Sequence, residues 1–143
     1  MQANTARNTA ADDKHPCPLD VVRAVYQAFA SRDLAAIQAL YHPDCEIYQS
    51  DRLPWGGAYR GHAGLHQFFS RLTSTINTRL VEEQLFEAGD RVVSIALTQG
   101  AALATGRQFE LPAVHVYTVR DGMICRYEAY VDTPAMLSAC ATD

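Results

Sequence analysis

The chain has one histidine whose setting suggests chemistry. His115 stands in the run Leu111-Pro112-Ala113-Val114-His115-Val116-Tyr117, so its ring is expected to point into protein. An imidazole in apolar surroundings can donate a hydrogen bond to a carbonyl oxygen or move a proton. It can equally be a core histidine satisfied by a neighbouring backbone or tyrosine group. A carboxylate partner is harder to find. Asp132 is a candidate catalytic acid, but it directly precedes Thr133-Pro134, where a carboxylate caps the first turn of a helix. Glu128 and Glu46 read as sheet-surface or rim charges.

Aromatic residues point more to binding than to reaction. Phe29, Tyr48, Trp55, Tyr59, Tyr117 and Tyr127 are candidates to line or cover a pocket, offering large apolar area with an occasional polar tip. Trp55 follows Pro54 and precedes two glycines, which suggests a lid on a loop. Gln49, Ala113, Ala129 and Val131 complete the candidate ligand-binding set. His62 reads as a first-turn polar residue of a helix and His66 as a surface one. They are four apart, but no H-E-x-x-H pattern surrounds them, and the cysteines Cys17, Cys45, Cys125 and Cys140 show no C-x-x-C spacing. No metal and no cofactor are expected.

The elements that must hold these residues follow from periodicity. Between Leu19 and Ser31, Val22, Val25, Tyr26 and Phe29 recur at helical steps. Asp33 can cap a second, short helix, ended by His42-Pro43. Cys45 to Ser50 alternates as a strand, with Cys45, Ile47 and Gln49 on one side and Glu46, Tyr48 and Ser50 on the other. Asp51 to Tyr59 reads as a loop, and Gly61 opens a helix carrying Leu65, Phe68, Phe69 and Leu72. Four strands follow, over Leu80–Glu87, Val92–Ala102, Phe109–Val119 and Ile124–Val131, with hairpin chemistry at Gly89-Asp90 and Asp121-Gly122. On the last of them Tyr127, Ala129 and Val131 share one face, and Glu128, Tyr130 and Asp132 the other. A short helix through Leu137 closes the series. Helices, one strand, a helix and then a meander make an α+β fold, with the consecutive strands antiparallel.

Composition narrows the function classes. The chain has 143 residues, 48% hydrophobic and 20% charged, with a formal charge of −4. That fits a single domain, expected over residues 17–140 behind a polar, disordered lead at 1–16. The charge lacks the surplus of Lys and Arg that a nucleic-acid binder needs. No apolar run is long enough to cross a bilayer, and no export signal is seen, so reduced thiols and a cytoplasmic location are expected.

The stretches Tyr26 to Asp33 (YQAFASRD), Leu40 to Glu46 (LYHPDCE), Leu53 to Gly64 (LPWGGAYRGHAG) and Thr105 to Leu137, with HVYTVRDGMI and YVDTPAML, resemble the nuclear transport factor 2-like superfamily in its polyketide-cyclase-like (SnoaL-like) branch. The resemblance implies a cone, with a strongly bent antiparallel sheet wrapped with helices around an apolar pocket, and a homodimer packed through the sheet. It implies a small hydrophobic molecule as ligand. The family holds isomerases, cyclases, dehydratases, epoxide hydrolases and non-enzymatic binding modules, so fold leaves function open. The cyclases place a histidine at the position of His115. Their acid/base aspartate falls on Ala129, as does one aspartate of the epoxide-hydrolase triad, whose remaining Arg and Asp match Ala96 and Thr98, which argues against epoxide opening. The ketosteroid isomerases' base falls near Tyr48, Gln49 or Ser50. Their oxyanion-hole tyrosine falls on Val25, one place from Tyr26, which points about 100° away on a helix and is expected to be a poor substitute. What remains is a metal-independent isomerase, cyclase or dehydratase acting through His115, or a non-catalytic binding or dimerisation module on the same fold.

Overall fold

A computed structural model describes residues 15–142; the polar lead falls almost entirely outside the described residues. Helix α1 (Pro18–Ala30) starts at a proline whose missing N–H leaves no bond unmade, and it buries Val21, Val22, Val25 and Ala28. Helix α2 (Leu34–Leu40) is capped as expected, the Asp33 side chain accepting from the Ala36 N–H at 3.0 Å. Strands β1 (Tyr41–Gln49) and β2 (Gly57–Arg60) are joined by a tight loop. Helix α3 (Gly61–Thr75) follows, burying Leu65, Phe68 and Leu72. Strands β3 (Ile76–Ala88), β4 (Arg91–Ala102), β5 (Gln108–Arg120) and β6 (Met123–Val131) make the meander, and helix α4 (Thr133–Cys140) ends the fold. Asp121 and Gly122 both have positive φ, the twist that a two-residue hairpin turn requires.

The six strands form one sheet in the order β2-β1-β6-β5-β4-β3. Two expectations need correction here. The loop read over Asp51–Tyr59 contains the start of β2, which hydrogen-bonds along β1. The sheet is also not wholly antiparallel, because β1 runs parallel to β6 and brings Gln49 opposite Ala129. Register shifts interrupt β1/β6, β3/β4 and β5/β6. At the β3/β4 shift, Glu82 and Glu83 stand between the pairs Val81–Leu97 and Gln84–Ile95, and Glu82 has φ 55°. Such bulges bend a strand and increase its twist, so the sheet curls around α1 and α3. The core lies between the concave face and these helices, centred on Val22, Leu65, Phe68, Tyr117 and Ile124. No helix among the described residues is long and apolar enough to cross a membrane.

Candidate functional site

Alternation puts every second residue of β4, β5, β6 and β1 on the concave face. The register then aligns Ser94, His115, Ala129 and Gln49 in one row across four adjacent strands. Alongside it runs a second row through Tyr117, Tyr127 and Ile47. The core does not fill this face completely. A chamber of about 650 Å3 of empty space, mouth included, lies over the rows. It is a narrow slot. Val25, Tyr26 and Phe29 wall it from α1, Phe68, Phe69 and Leu72 from α3, and Met136 from α4. Tyr26, Phe29 and Leu80 also border an outer groove between α1 and β3, edged by Arg23, Arg79 and Glu83.

His115 is 9% exposed and faces this chamber. Its Nδ1 lies 2.9 Å from the Tyr26 hydroxyl. Burial lowers the imidazole pKa from 6.5 to about 4 and raises the Tyr26 phenol to about 12. Both groups are therefore neutral near pH 7. The Tyr26 hydroxyl also stands within reach of Ser94 and Tyr117; where its O–H donates to Nδ1, the ring proton sits on Nε2. The edges of Tyr26, Tyr117 and Tyr127 surround the ring, with centroids 5.3–6.2 Å away. Ser94, fully buried, lies close to the Tyr26 oxygen, but its hydroxyl makes no well-formed hydrogen bond among the described residues.

A second polar group stands at the other end of the row. The Gln49 Oε1 accepts from the Trp55 indole N–H at 2.9 Å, which leaves the Gln49 amide NH2 without a partner among the described residues. Behind them the Tyr59 hydroxyl accepts from Arg71 at 2.9 Å and donates toward the carbonyls of Trp55 and Gly56, at 2.8 and 3.1 Å. Gly56 is required in this loop, because a Cβ there would lie 1.7 Å from the Ser50 carbonyl oxygen. A third polar spot is the hydrogen-bonded pair Thr78 and Thr98.

The chamber gathers most of the expected residues: His115, Phe29, Gln49, Trp55, Ala113, Tyr117, Tyr127, Ala129 and Val131 all line it. Others lie elsewhere. Trp55 is no exposed lid; it is 1% exposed and built into the wall. Tyr59 braces the Trp55 loop from outside the chamber. Tyr48 is on the convex face, its ring 6.3 Å from Tyr130. Asp132 caps α4, accepting from the Ala135 N–H at 3.0 Å, and does not reach the chamber. Tyr26, set aside on the 100° argument, is the residue that holds His115. The buried stripe of α1 is wide enough for Val25 and Tyr26 both to face inward. Tyr41 and Thr78 were not foreseen, lying in segments outside the strands read from periodicity, and Thr98 was named only as the position of a missing triad aspartate. His62 bonds the Tyr41 carbonyl and His66 bonds Gln38, both away from the chamber. Among the described residues no three His, Cys, Asp or Glu side chains gather where they could hold a metal ion.

No curated protein gives a significant match. Solved structures do. An NTF2-like protein of unknown function from Burkholderia pseudomallei superimposes with a TM-score of 0.82 at 29% identity, over 87% of this chain and 98% of that one. TerC, co-crystallised with polyporic acid, matches with a TM-score of 0.80 at 31% identity, over 86% of this chain and 97% of that one. A Catenulispora acidiphila protein with a ketosteroid isomerase-like fold, solved with trimethylamine, has a TM-score of 0.74 at 19% identity, over 88% and 93% of the two chains, a likeness of fold alone. The family model of the SnoaL-like domain matches residues 22–127, most of the chain and nearly every residue that walls the chamber. On that match and this NTF2-like fold, the chain belongs to the SnoaL-like domain family.

Proposed function

We propose that the protein takes a small hydrophobic molecule into this chamber and acts on it as a metal-independent isomerase, cyclase or dehydratase, with an oxygen of the substrate held by the Nε2–H of His115. The observation that carries this reading is a buried imidazole that lines the chamber with its Nδ1 2.9 Å from the Tyr26 hydroxyl. A neutral donor held in place before reaction stabilises negative charge as it develops on oxygen, without first having to reorganise. With its pKa near 4, His115 supplies no imidazolium at neutral pH. A proton can instead reach the substrate oxygen in a relay: Nε2 gives up its proton as Nδ1 receives that of Tyr26, and the charge ends on the phenolate. Because Tyr26 titrates near 12, this relay suits an alkoxide, while an enolate is held by the hydrogen bond alone.

A second reading, a binding module that carries its ligand unaltered, is favoured by one specific observation. No Asp or Glu is among the described residues that line the chamber, so a strong base for proton abstraction is missing. Polyporic acid, with which TerC was co-crystallised, is the first probe for both readings. Trp55 is the single tryptophan and sits in the wall, so its fluorescence reports occupancy. Saturable quenching is expected in the wild type, with affinity about tenfold weaker in His115→Phe at an unchanged Tm. Equal affinity in the two proteins would overturn the role of His115. Mass spectrometry of the recovered compound separates conversion from carriage.

Self-association completes the proposal. Ile95, Val114 and Tyr130 line up across the convex face, and Ile95 and Tyr130 are each 46% exposed. Sedimentation showing only a monomer would remove this part.

A further inference from the structure

The cross-sheet row has two polar ends. Ser94 aside, it runs from His115 on β5, over Ala129 on β6, to Gln49 on β1. Neighbouring strands are about 4.8 Å apart, so the two Cα atoms that carry the polar heads are about 10 Å apart along the sheet. The residue between them is an alanine, 3% exposed, and Ala113 and Val131 continue the low floor beside it. Gln49 is 5% exposed. Its carbonyl is committed to the Trp55 indole, which fixes the orientation of the amide and turns the NH2 away from that bond. Neither the Gln49 nitrogen nor the His115 Nε2 has a partner among the described residues, yet both residues line the chamber. Neither nitrogen is sealed in protein, so a ligand that fills the chamber takes the place of water at both and must supply the acceptors itself.

From this arrangement we infer that Gln49 is the second anchor of the chamber. The ligand it selects is a flat ring system carrying a hydrogen-bond-accepting oxygen at each end, one for His115 and one for Gln49, lying across the Ala129 floor. The inference rests on the proposed function in taking His115 as the first anchor. The Gln49 donor sets specificity: an analogue with only one oxygen leaves it unpaired and loses affinity, while its apolar burial is unchanged.

The test uses a matched pair, 2,6-dihydroxynaphthalene and 2-naphthol, titrated by calorimetry into the full chain. The wild type is expected to bind the two-oxygen compound about tenfold more tightly than the one-oxygen compound. Gln49→Leu is expected to bring that ratio to about one. Gln49→Met keeps the length of the side chain while losing the NH2 donor, and the same loss of preference is expected there, which separates the anchor from a packing effect. A preference that persists in both variants overturns the inference and leaves the role of His115 standing. Affinity for both compounds that is indifferent to His115→Phe as well as to Gln49→Leu overturns the two together, and so does a wild type that binds neither compound nor polyporic acid.

Discussion

The two faces of the same strands handle polar groups in opposite ways. On the convex side Arg126 bonds Glu46 and Glu128, both at 2.8 Å, Arg60 bonds Glu46 at 2.7 Å, and the Tyr130 hydroxyl donates to Glu128 at 2.7 Å. Every one of these charges has a partner and touches water. The Arg60 guanidinium, with Arg126, holds Glu46 below the usual carboxylate range, and the Tyr130 hydroxyl, with Arg126, does the same for Glu128. One residue away along each strand, the concave side carries no charge, and its hydrogen-bonding capacity is only partly used. His115 and Gln49 each spend one atom on a neighbour and present another to the chamber, and Ser94 spends none. Solvated ion pairs are individually weak and replaceable, because water takes over when they break. Neutral donors on the chamber wall keep water only until a ligand displaces it, and that ligand must then supply the acceptors. The pleat thus separates a surface that tolerates change from a chamber whose unmet groups define what can fill it.

The largest effect expected from breaking this contrast is on packing. Tyr117 is 1% exposed beneath the chamber, and Tyr117→Ala should cost about 3–5 kcal/mol of stability. Ile95→Ala on the convex side of the neighbouring strand should change stability by no more than about 0.5 kcal/mol. Urea unfolding of the two variants measures the difference. Comparable losses would mean that the convex face is covered, by a second copy or otherwise.

Titration sharpens the same contrast. The folded pKa of His115 is lowered from 6.5 to about 4, so the unfolded chain takes up the proton first as the pH falls. Its contribution is favourable above pH 6.5 and is lost between 6.5 and 4, on the order of 3 kcal/mol in all. The carboxylates of the convex face, lowered from 4.5, contribute above 4.5 and lose that contribution only below it. Unfolding free energies at pH 7.5, 5.5 and 4.5 should fall in the wild type and stay nearly level in His115→Gln. An equal fall in both proteins would show that the ring is solvated.

Much of this separation was legible in the sequence. Alternation put Glu46 and Tyr48 on the face opposite Ile47 and Gln49, and Tyr127 with Ala129 opposite Glu128 with Tyr130, because a period of two is a local property of the chain. The apolar neighbours of His115 announced its burial, and Asp-Thr-Pro announced the cap of α4. What stayed hidden depends on contacts distant in sequence. The parallel pairing of β1 with β6 joins segments about eighty positions apart and alone sets Gln49 beside Ala129. Four-residue β2 is too short for a period to show. Trp55 looked like a lid because its loop is rich in Gly and Pro. Its burial follows from Tyr59 and Arg71, which hold the loop down from a strand and a helix further on. Tyr26 was missed because a helical-wheel argument decides between neighbours only when the buried stripe is narrow.

Ser94 gives the smallest effect and the most discriminating one. Its hydroxyl is fully buried, next to the Tyr26 oxygen, and unbonded. An unpaired buried hydroxyl costs roughly 1–3 kcal/mol relative to a satisfied one, so Ser94→Ala should be neutral or stabilise by up to about 1 kcal/mol. If the Tyr26–His115 pair shifts its proton toward a bound oxygen, charge builds on the Tyr26 oxygen, and the Ser94 hydroxyl, with that of Tyr117, stands close enough to donate to it. The variant should then unfold at higher urea while its turnover falls several-fold. A Ser94→Ala protein that is less stable by more than about 1 kcal/mol would show the hydroxyl already bonded without ligand, and the concave face would then be as self-satisfied as the convex one.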